Sequence, residues 1–494
     1  MEAHPARWRA EIDPRLFGAF LEHLGRAIYG GVYEPGSRLA DANGFRRDVL
    51  EEVRNLRVPI LRYPGGNFVS GYNWPDGVGP KEKRPRVLER AWNSIETNQF
   101  GTNEFIAWCR LVGTEPLLAV NLGTGTAETA AALVEYCNVE RGTHWSDLRR
   151  QHGFASPHSV KYWCLGNEMD GRWQIGHMTA AEYGRKAADA ARQIRRLDRS
   201  TQLIACGSSS PFMSTYLNWD REALEECYEE VDAISVHRYF NNTNETGGDA
   251  SRYLALNMNM ESQIQEVAAV CDYVRGLRKS RKRLWLSFDE WNVWYRARDG
   301  NGKQQEAPRL LEEIYNLEDA LLVGGCINTL LRQADRVRVG CLAQIVNVIA
   351  PLMTSADKVL RQTIYYPYAW ALHYARGKVL DLWIESDSYT VPPGDRVPFL
   401  DVAATMDPNS GERCLLILNR DLSNERELSV HWRDETPKRV LTCETLTGTD
   451  LKASNTFEQP NRVAPQRLDA PRPDARMTFK LPPRSYTVVR LAMT

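Results

Sequence analysis

Val160-Lys161-Tyr162-Trp163-Cys164-Leu165-Gly166-Asn167-Glu168 is a short, nearly continuous apolar run that finishes on a carboxylate. A strand with one face in water alternates apolar and polar residues, whereas a strand buried on both faces need not. The run therefore predicts a strand of a parallel sheet covered by helices. Working outward, the same texture recurs at Leu16-Phe20, Val58-Arg62, Pro116-Asn121, Gln202-Ala205, Ala233-Val236, Leu284-Phe288 and Cys341-Val346. Amphipathic patterns lie between these runs, at Thr126-Cys137, Thr179-Leu197, Tyr253-Leu277 and Leu310-Leu331. Thr179 and Glu182 have the spacing of a capping box that opens the second of these helices. About eight strand–helix units argue for a closed α/β barrel over an open sheet, so a (β/α)8 TIM barrel is expected over residues 11–375.

After Arg376 the texture changes to short β-prone segments separated by Pro, Gly, Asp and Asn. Val379-Trp383, Phe399-Thr405, Cys414-Asn419, Glu427-Trp432, Arg439-Thr445 and Ser485-Leu491 read as strands of an antiparallel β-sandwich, jelly-roll-like, over residues 376–494. The N-terminal strand, residues 1–10, is a candidate member of that unit. Asn455-Arg476, rich in Pro and Arg, reads as a long loop.

Bulk properties narrow the function. The 494 residues suit one large and one smaller domain. A formal net charge of -1 supplies no long-range field for nucleic acid or an anionic membrane, so a neutral ligand is expected. The ten cysteines include no CxxC pair and no Cys/His cluster, which fits reduced thiols in the cytoplasm. The start, MEAHPARWRA, lacks the apolar core of a signal peptide. The sequons at Asn241 and Asn244 would matter only in a secretory context. Gly123-Thr124-Gly125-Thr126 lacks the third glycine and ribose-binding acid of a dinucleotide fingerprint. The basic run Arg278–Arg283 reads as a solvated helix end.

Reactive groups of a barrel enzyme sit at the C-terminal ends of its strands. The fourth run ends at Asn167-Glu168, and the seventh continues into Asp289-Glu290-Trp291. A buried strand ending in an acid is costly unless the acid is paired or used. One such end could be a structural ion pair; two, three units apart around a barrel, point to catalysis. Glycoside hydrolysis needs two carboxyl groups, one to protonate the leaving oxygen and one to attack or stabilise the anomeric carbon. A separation of ~5 Å implies retention of configuration, and ~6.5–9.5 Å implies inversion. These carboxyls supply acid, base and nucleophile, so no metal and no organic cofactor is expected.

The runs Phe20-Leu21-Glu22-His23-Leu24-Gly25-Arg26, Arg62-Tyr63-Pro64-Gly65-Gly66-Asn67-Phe68, Gly166-Asn167-Glu168-Met169-Asp170-Gly171 and Asp289-Glu290-Trp291-Asn292 resemble glycoside hydrolase family 51, the α-L-arabinofuranosidases. The resemblance covers the barrel and, more weakly, the sandwich. It implies that Glu168 is the acid/base and Glu290 the nucleophile. It further implies that Asn167 hydrogen-bonds the sugar 2-hydroxyl, and that Glu22, Arg62 and Asn67 surround the furanose. Trp92 matches an aromatic beside that sugar, Tyr239 a tyrosine that orients the nucleophile, Gln344 a glutamine on strand eight that touches the sugar, and Trp294 an aromatic wall. Read from the residues alone, Arg62 at the end of a strand before a Pro-Gly-Gly turn suits a site, with a structural ion pair as the lesser reading, and His237 is either a satisfied core histidine or a substrate-contacting residue. The aromatics could be packing, and Cys164 reads as a small buried hydrophobe.

The implied activity is that of a retaining, exo-acting α-L-arabinofuranosidase on arabinoxylan- or arabinan-derived oligosaccharides. It would be a cytoplasmic homo-oligomer, often a hexamer in the family, with no nucleic-acid or membrane partner. Two alternatives stand beside it: an endo-β-glucanase or β-xylosidase on the same scaffold, and a non-catalytic carbohydrate-binding protein.

Overall fold

The computed structural model describes residues 1–296 and 304–493. Eight strands close into a barrel: β1 (Gly18–Phe20), β2 (Ile60–Tyr63), β3 (Glu115–Val120), β4 (Tyr162–Leu165), β5 (Gln202–Ala205), β6 (Ala233–Phe240), β7 (Trp285–Val293) and β8 (Val337–Leu342). All neighbours run parallel, and the barrel closes where β8 pairs Cys341 with Gly18 and Leu342 with Ala19. Gly18 is needed at that seam, because a Cβ there would stand 2.7 Å from the Ile60 side chain and 2.9 Å from Cys341 Sγ. Every residue of β2, β4 and β7 is buried. The barrel interior covers one face and the helices cover the other, which is why their sequences show little alternation.

The principal helix after each strand is, in order, α1 (Arg47–Leu56), α2 (Thr102–Val112), α3 (Ala127–Asn138), α4 (Ala180–Leu197), α5 (Asn218–Cys227), α6 (Leu256–Arg278), α7 (Leu317–Arg332) and α8 (Tyr365–Tyr374). The capping box expected at α4 is formed: Glu182 N–H donates to Thr179 Oγ1, and Thr179 N–H donates to Glu182 Oε2 at 3.0 Å. α7 starts seven residues later than the apolar pattern from Leu310 predicts. Leu311 takes a left-handed backbone (φ 53°), and Asn316 caps the helix by accepting from Asp319 N–H. Among the described residues, no helix is long and apolar enough to cross a membrane. All ten cysteines are buried and unpaired.

β7 differs most from its expected extent. The apolar run stops at Phe288, yet the strand continues to Val293 and carries Asp289 and Glu290 within it. β6 extends alongside, pairing His237 with Glu290 and Phe240 with Val293, after a register shift between Ser235 and His237. Two steps along β6 are matched by three along β7, so β7 holds one extra residue there. A regular pleat sends neighbours to opposite faces, whereas a bulge re-aims them. Asp289 and Glu290 are adjacent and both reach the Arg62 guanidinium.

The C-terminal residues form a β-sandwich. A seven-stranded sheet runs Trp8–Glu11, Lys378–Leu380, Leu400–Met406, Glu412–Asn419, Ser485–Met493, Pro437–Leu446, Gln466–Arg467, and faces a three-stranded sheet of Glu2–Ala3, Arg426–Trp432 and Arg476–Leu481. Their shared core includes Val402, Leu415, Ile417, Val430, Phe479 and Val489. Chain from the N-terminus thus enters both sheets, and Glu2–Ala3 runs parallel to its neighbour, so the sandwich is not wholly antiparallel. The stretch read as a loop contains the short strand Gln466–Arg467. It is followed by Arg476–Leu481, whose buried Met477, Phe479 and Leu481 alternate with exposed residues. The seven-stranded sheet rests on α7, where a Cβ on Gly324 would lie 2.5 Å from the Tyr486 ring. A second hairpin, Ser388–Val391 with Asp395–Pro398, packs Val391 and Val397 against Ala255 of the barrel.

Candidate active site

Glu168 and Glu290 come together at the C-terminal mouth of the barrel. One oxygen of each carboxylate and a ring nitrogen of His237 all lie within 4.8 Å of one another. The two carboxyls are held by different partners. Arg62 Nη1 donates to Glu290 Oε1 at 2.5 Å and Tyr239 Oη donates to Glu290 Oε2 at 2.8 Å. Glu168 Oε1 faces His237 Nδ1 at 2.9 Å, and its Oε2 accepts from Trp173 Nε1 at 2.8 Å. Glu168 follows Gly166 (φ 90°) and itself takes a left-handed φ of 44°. A non-glycine residue in that region is strained, and such strain collects at sites that need a side chain in one direction.

Beneath the carboxylates lies a buried layer of charge. Arg62 is 1% exposed, with Nε 3.4 Å from Asp289 Oδ2 and Nη2 donating to Asn167 Oδ1 at 2.7 Å. That bond fixes the Asn167 amide and leaves its Nδ2 with no protein partner. His237 sets its second nitrogen 3.1 Å from Asp289 Oδ1. Burial alone would lower the His237 pKa, but Glu290, Asp289 and Glu168 around it outweigh that and raise it to about 10. So raised, the ring holds a proton that it shares with Glu168 on one side and Asp289 on the other. Burial would likewise raise the Asp289 carboxyl, yet Arg62 and His237 hold it below its ordinary value. The three groups within 4.8 Å have a spacing that a metal ion could use. His237, however, spends both ring nitrogens on Glu168 and Asp289.

Glu22 occupies the opposite wall, just past β1. Its Oε1 accepts from Phe68 N–H and from Trp92 Nε1, each at 2.9 Å, and its backbone N–H donates to Gln344 Oε1 at 2.8 Å. The Pro64-Gly65-Gly66 turn makes room for it: a Cβ on Gly65 would lie 2.8 Å from Glu22 Cγ, and one on Gly66 would lie 2.6 Å from Oε2. Burial, and then the charge of Glu290, raise the Glu22 pKa to about 8. A carboxyl so raised favours the folded state most below its ordinary value of 4.5, and that contribution is lost as pH climbs through about 8. Neutral Glu22 can donate a hydrogen bond to a hydroxyl; ionised, it puts a second negative charge beside Glu290. We expect kcat/KM to fall on the alkaline side near pH 8, and Glu22→Gln to move that limb to higher pH. An unmoved limb in the pH profile of the variant would assign it to another group.

The mouth opens into a cavity of about 1590 Å³. Glu22, Asn67, Trp92, Glu168, Tyr239, Glu290, Trp294 and Gln344 line it, while Arg62, Asn167 and His237 lie in the layer beneath. Tyr239 and Trp294 pack edge to face at 5.2 Å. Two further residues belong to this constellation. Asp289 stands in the run read for its neighbour Glu290, and its signal was that a second acid follows the same apolar strand. Trp173, half exposed, sits five residues past Glu168 in a loop, where no periodicity could single it out. Cys164 does more than fill space, since its thiol donates to Asp289 Oδ2 at 3.3 Å.

The chain matches known proteins over nearly its full length. The family descriptions "Alpha-L-arabinofuranosidase 1 domain" and "Alpha-L-arabinofuranosidase C-terminal domain" match residues 52–262 and 289–485. It is 45% identical over 485 residues to the intracellular exo-α-(1→5)-L-arabinofuranosidase 1 of Bacillus subtilis, covering 97% of this chain and 96% of that one. An intracellular exo-α-(1→5)-L-arabinofuranosidase of Halalkalibacterium halodurans is 46% identical over 486 residues, with the same coverage. The solved family 51 α-L-arabinofuranosidase of Bifidobacterium longum superposes with a TM-score of 0.95 at 38% identity, covering 99% of both chains. The arabinose complex of the Thermotoga maritima α-L-arabinofuranosidase superposes with a TM-score of 0.88 at 34% identity, covering 99% of this chain and 98% of that one. With this barrel, this sandwich and these matches, the chain belongs to the α-L-arabinofuranosidases of glycoside hydrolase family 51.

Proposed function

We propose that this chain is an exo-acting α-L-arabinofuranosidase that releases terminal arabinofuranosyl units from arabinan- or arabinoxylan-derived oligosaccharides with retention. The observation that carries the reading is the pair of carboxylates, one oxygen of each within 4.8 Å of the other, each with its own set of donors. Oxygens that close suit double displacement better than the wider gap of an inverting enzyme. In the first step Glu290 attacks the anomeric carbon while Glu168 gives its proton to the departing oxygen. Arg62 and Tyr239 keep the attacking carboxylate aimed. In the second step Glu168 takes a proton from water, which attacks the same carbon and frees Glu290. Asn167, held by Arg62, has the free amide N–H to meet the sugar 2-hydroxyl, and Glu22, Asn67, Trp92, Trp294 and Gln344 enclose the furanose. His237 acts on the carboxylates and not on the sugar.

Relatives named exo-α-L-arabinofuranosidases at 45% and 46% identity over almost the whole chain favour this reading over an endo-β-glucanase, a β-xylosidase or a binding-only protein. Those relatives are named intracellular, which supports action in the cytoplasm on imported oligosaccharides. The homo-oligomer rests on the family resemblance and is read by light scattering. The reaction itself is tested by proton NMR of an aryl α-L-arabinofuranoside during hydrolysis. The first sugar formed is expected to be the α-anomer, equilibrating later. First appearance of the β-anomer overturns double displacement, and faster hydrolysis of aryl xyloside or glucoside overturns the substrate.

A further inference from the structure

Strand β7 runs on past its apolar residues, and the start of α7 grips the chain where that strand ends. Tyr315, just before the helix, donates through its hydroxyl to the Val293 main-chain oxygen at 2.7 Å. Asp319, in the first turn, is buried, and its Oδ1 accepts from Tyr295 Oη at 2.7 Å and from Tyr253 Oη at 2.8 Å. Its Oδ2 accepts from Asn316 N–H at 3.0 Å. Burial pushes the Asp319 carboxyl up to about 6, so above that pH it is a carboxylate and both oxygens accept. The acid beside it faces the neighbouring strand. Glu318, also buried, accepts from Asn242 Nδ2 at 2.7 Å, just past β6, and from Lys452 of the sandwich. A helix leaves the N–H groups of its first turn unpaired, and here the sandwich meets two of them. Leu317 N–H donates to Ala453 O at 3.0 Å, and Glu318 N–H to Leu451 O at 3.1 Å. The late start of α7 puts both acids in its first turn, where the helix dipole favours them.

What these bonds hold is a wall of the site. Trp294 lies between Val293 and Tyr295, and its indole Nε1 has no protein partner, so the polar atom of the ring does not fix its direction. The backbone does. Trp294 N–H donates to Phe240 O at 2.9 Å, and Asn241 Nδ2 donates to Trp294 O at 2.9 Å. The ladder between β6 and β7 stops at Val293, so past it the chain depends on bonds of this kind. Tyr315 and Asp319 secure the residues on either side of Trp294, whose ring meets Tyr239 edge to face at the cavity. Neither Asp319 nor Tyr295 lines the cavity.

We propose that Asp319 and Tyr295 are positioning residues for the reaction: the bond between them holds the chain past β7 so that Trp294 stands against the furanose. The inference rests on the arabinofuranosidase reading and adds to it a pair that acts on the sugar only through its neighbour. Tyr295→Phe and Tyr253→Phe make the test. Each deletes one hydroxyl and keeps its ring, and both hydroxyls bond the same oxygen of Asp319. Tyr253, however, lies just before α6 and not beside Trp294.

Steady-state kinetics on an aryl α-L-arabinofuranoside reads the outcome. Tyr295→Phe is expected to raise KM roughly fivefold with kcat within about twofold of the parent, because a displaced wall weakens the ground state and the transition state alike. Tyr253→Phe is expected to keep both constants within about twofold of the parent. An unchanged KM in Tyr295→Phe overturns the proposal. An equal rise in the two variants overturns it as well, being the mark of a general loosening around Asp319, and so does a loss carried by kcat. A parent chain inert on this substrate overturns the arabinofuranosidase reading itself, a result distinct from the others.

Discussion

Glu290→Ala is expected to stop turnover, with kcat on every arabinofuranoside lowered by about 10⁴-fold or more, because the variant has no group to form the glycosyl-enzyme. The surroundings of the missing carboxylate make the result diagnostic. Arg62 and Tyr239 both donate to Glu290, and Asp289 and His237 lie directly beneath. Truncation leaves a small hole lined by a cation and a hydroxyl, which is a place for a small anion. Azide added to the variant should therefore attack from the vacated face while Glu168 still protonates the leaving group. The product would be a glycosyl azide of inverted configuration, identified by NMR. Hydrolysis undiminished by the substitution would remove Glu290 from the reaction altogether.

Glu168→Ala should behave differently, and the difference separates the two roles. Loss of a general acid costs roughly 10²–10⁴-fold where the leaving group needs a proton, as an oligosaccharide alkoxide does. An aryl leaving group that departs as a stable phenolate should be nearly spared in the first step. The second step then slows for all substrates, since no base activates water, and the glycosyl-enzyme should accumulate. Mass spectrometry of the Glu290 peptide would detect one added pentosyl group. Azide would now enter through the space that Glu168 vacates, on the face opposite Glu290, and give a product of retained configuration. Equal losses on good and poor leaving groups would contradict the acid/base assignment.

Much of this candidate site is legible before any fold is drawn. Val160–Leu165 and Leu284–Phe288 declare buried parallel strands because burial on both faces removes the alternation an exposed face imposes. The acids that follow declare themselves because an unpaired charge at the end of a buried strand is expensive. Pro64-Gly65-Gly66 marks a turn, although only the fold reveals that both glycines make way for the Glu22 side chain. One kind of fact stayed hidden. Polar continuations of strands, such as Asp289–Val293, are invisible to a hydrophobic pattern when the neighbouring strand and not the local sequence holds them in place. Strand Arg476–Leu481, by contrast, carried a legible period of two.

The two glutamates were thus determined by sequence, as acids that end the fourth and seventh apolar runs, with their separate roles supplied by the family resemblance. What brings one oxygen of each within 4.8 Å of the other is tertiary. Closure of eight strands puts residues 122 positions apart onto one rim, and the extra residue in β7 turns Asp289 and Glu290 toward the same guanidinium. The charge state of His237 is tertiary as well, because it depends on three carboxylates contributed by two other strands. Local sequence fixes which groups a segment carries and how it is buried; the distances and fields among distant segments exist only once the barrel has closed.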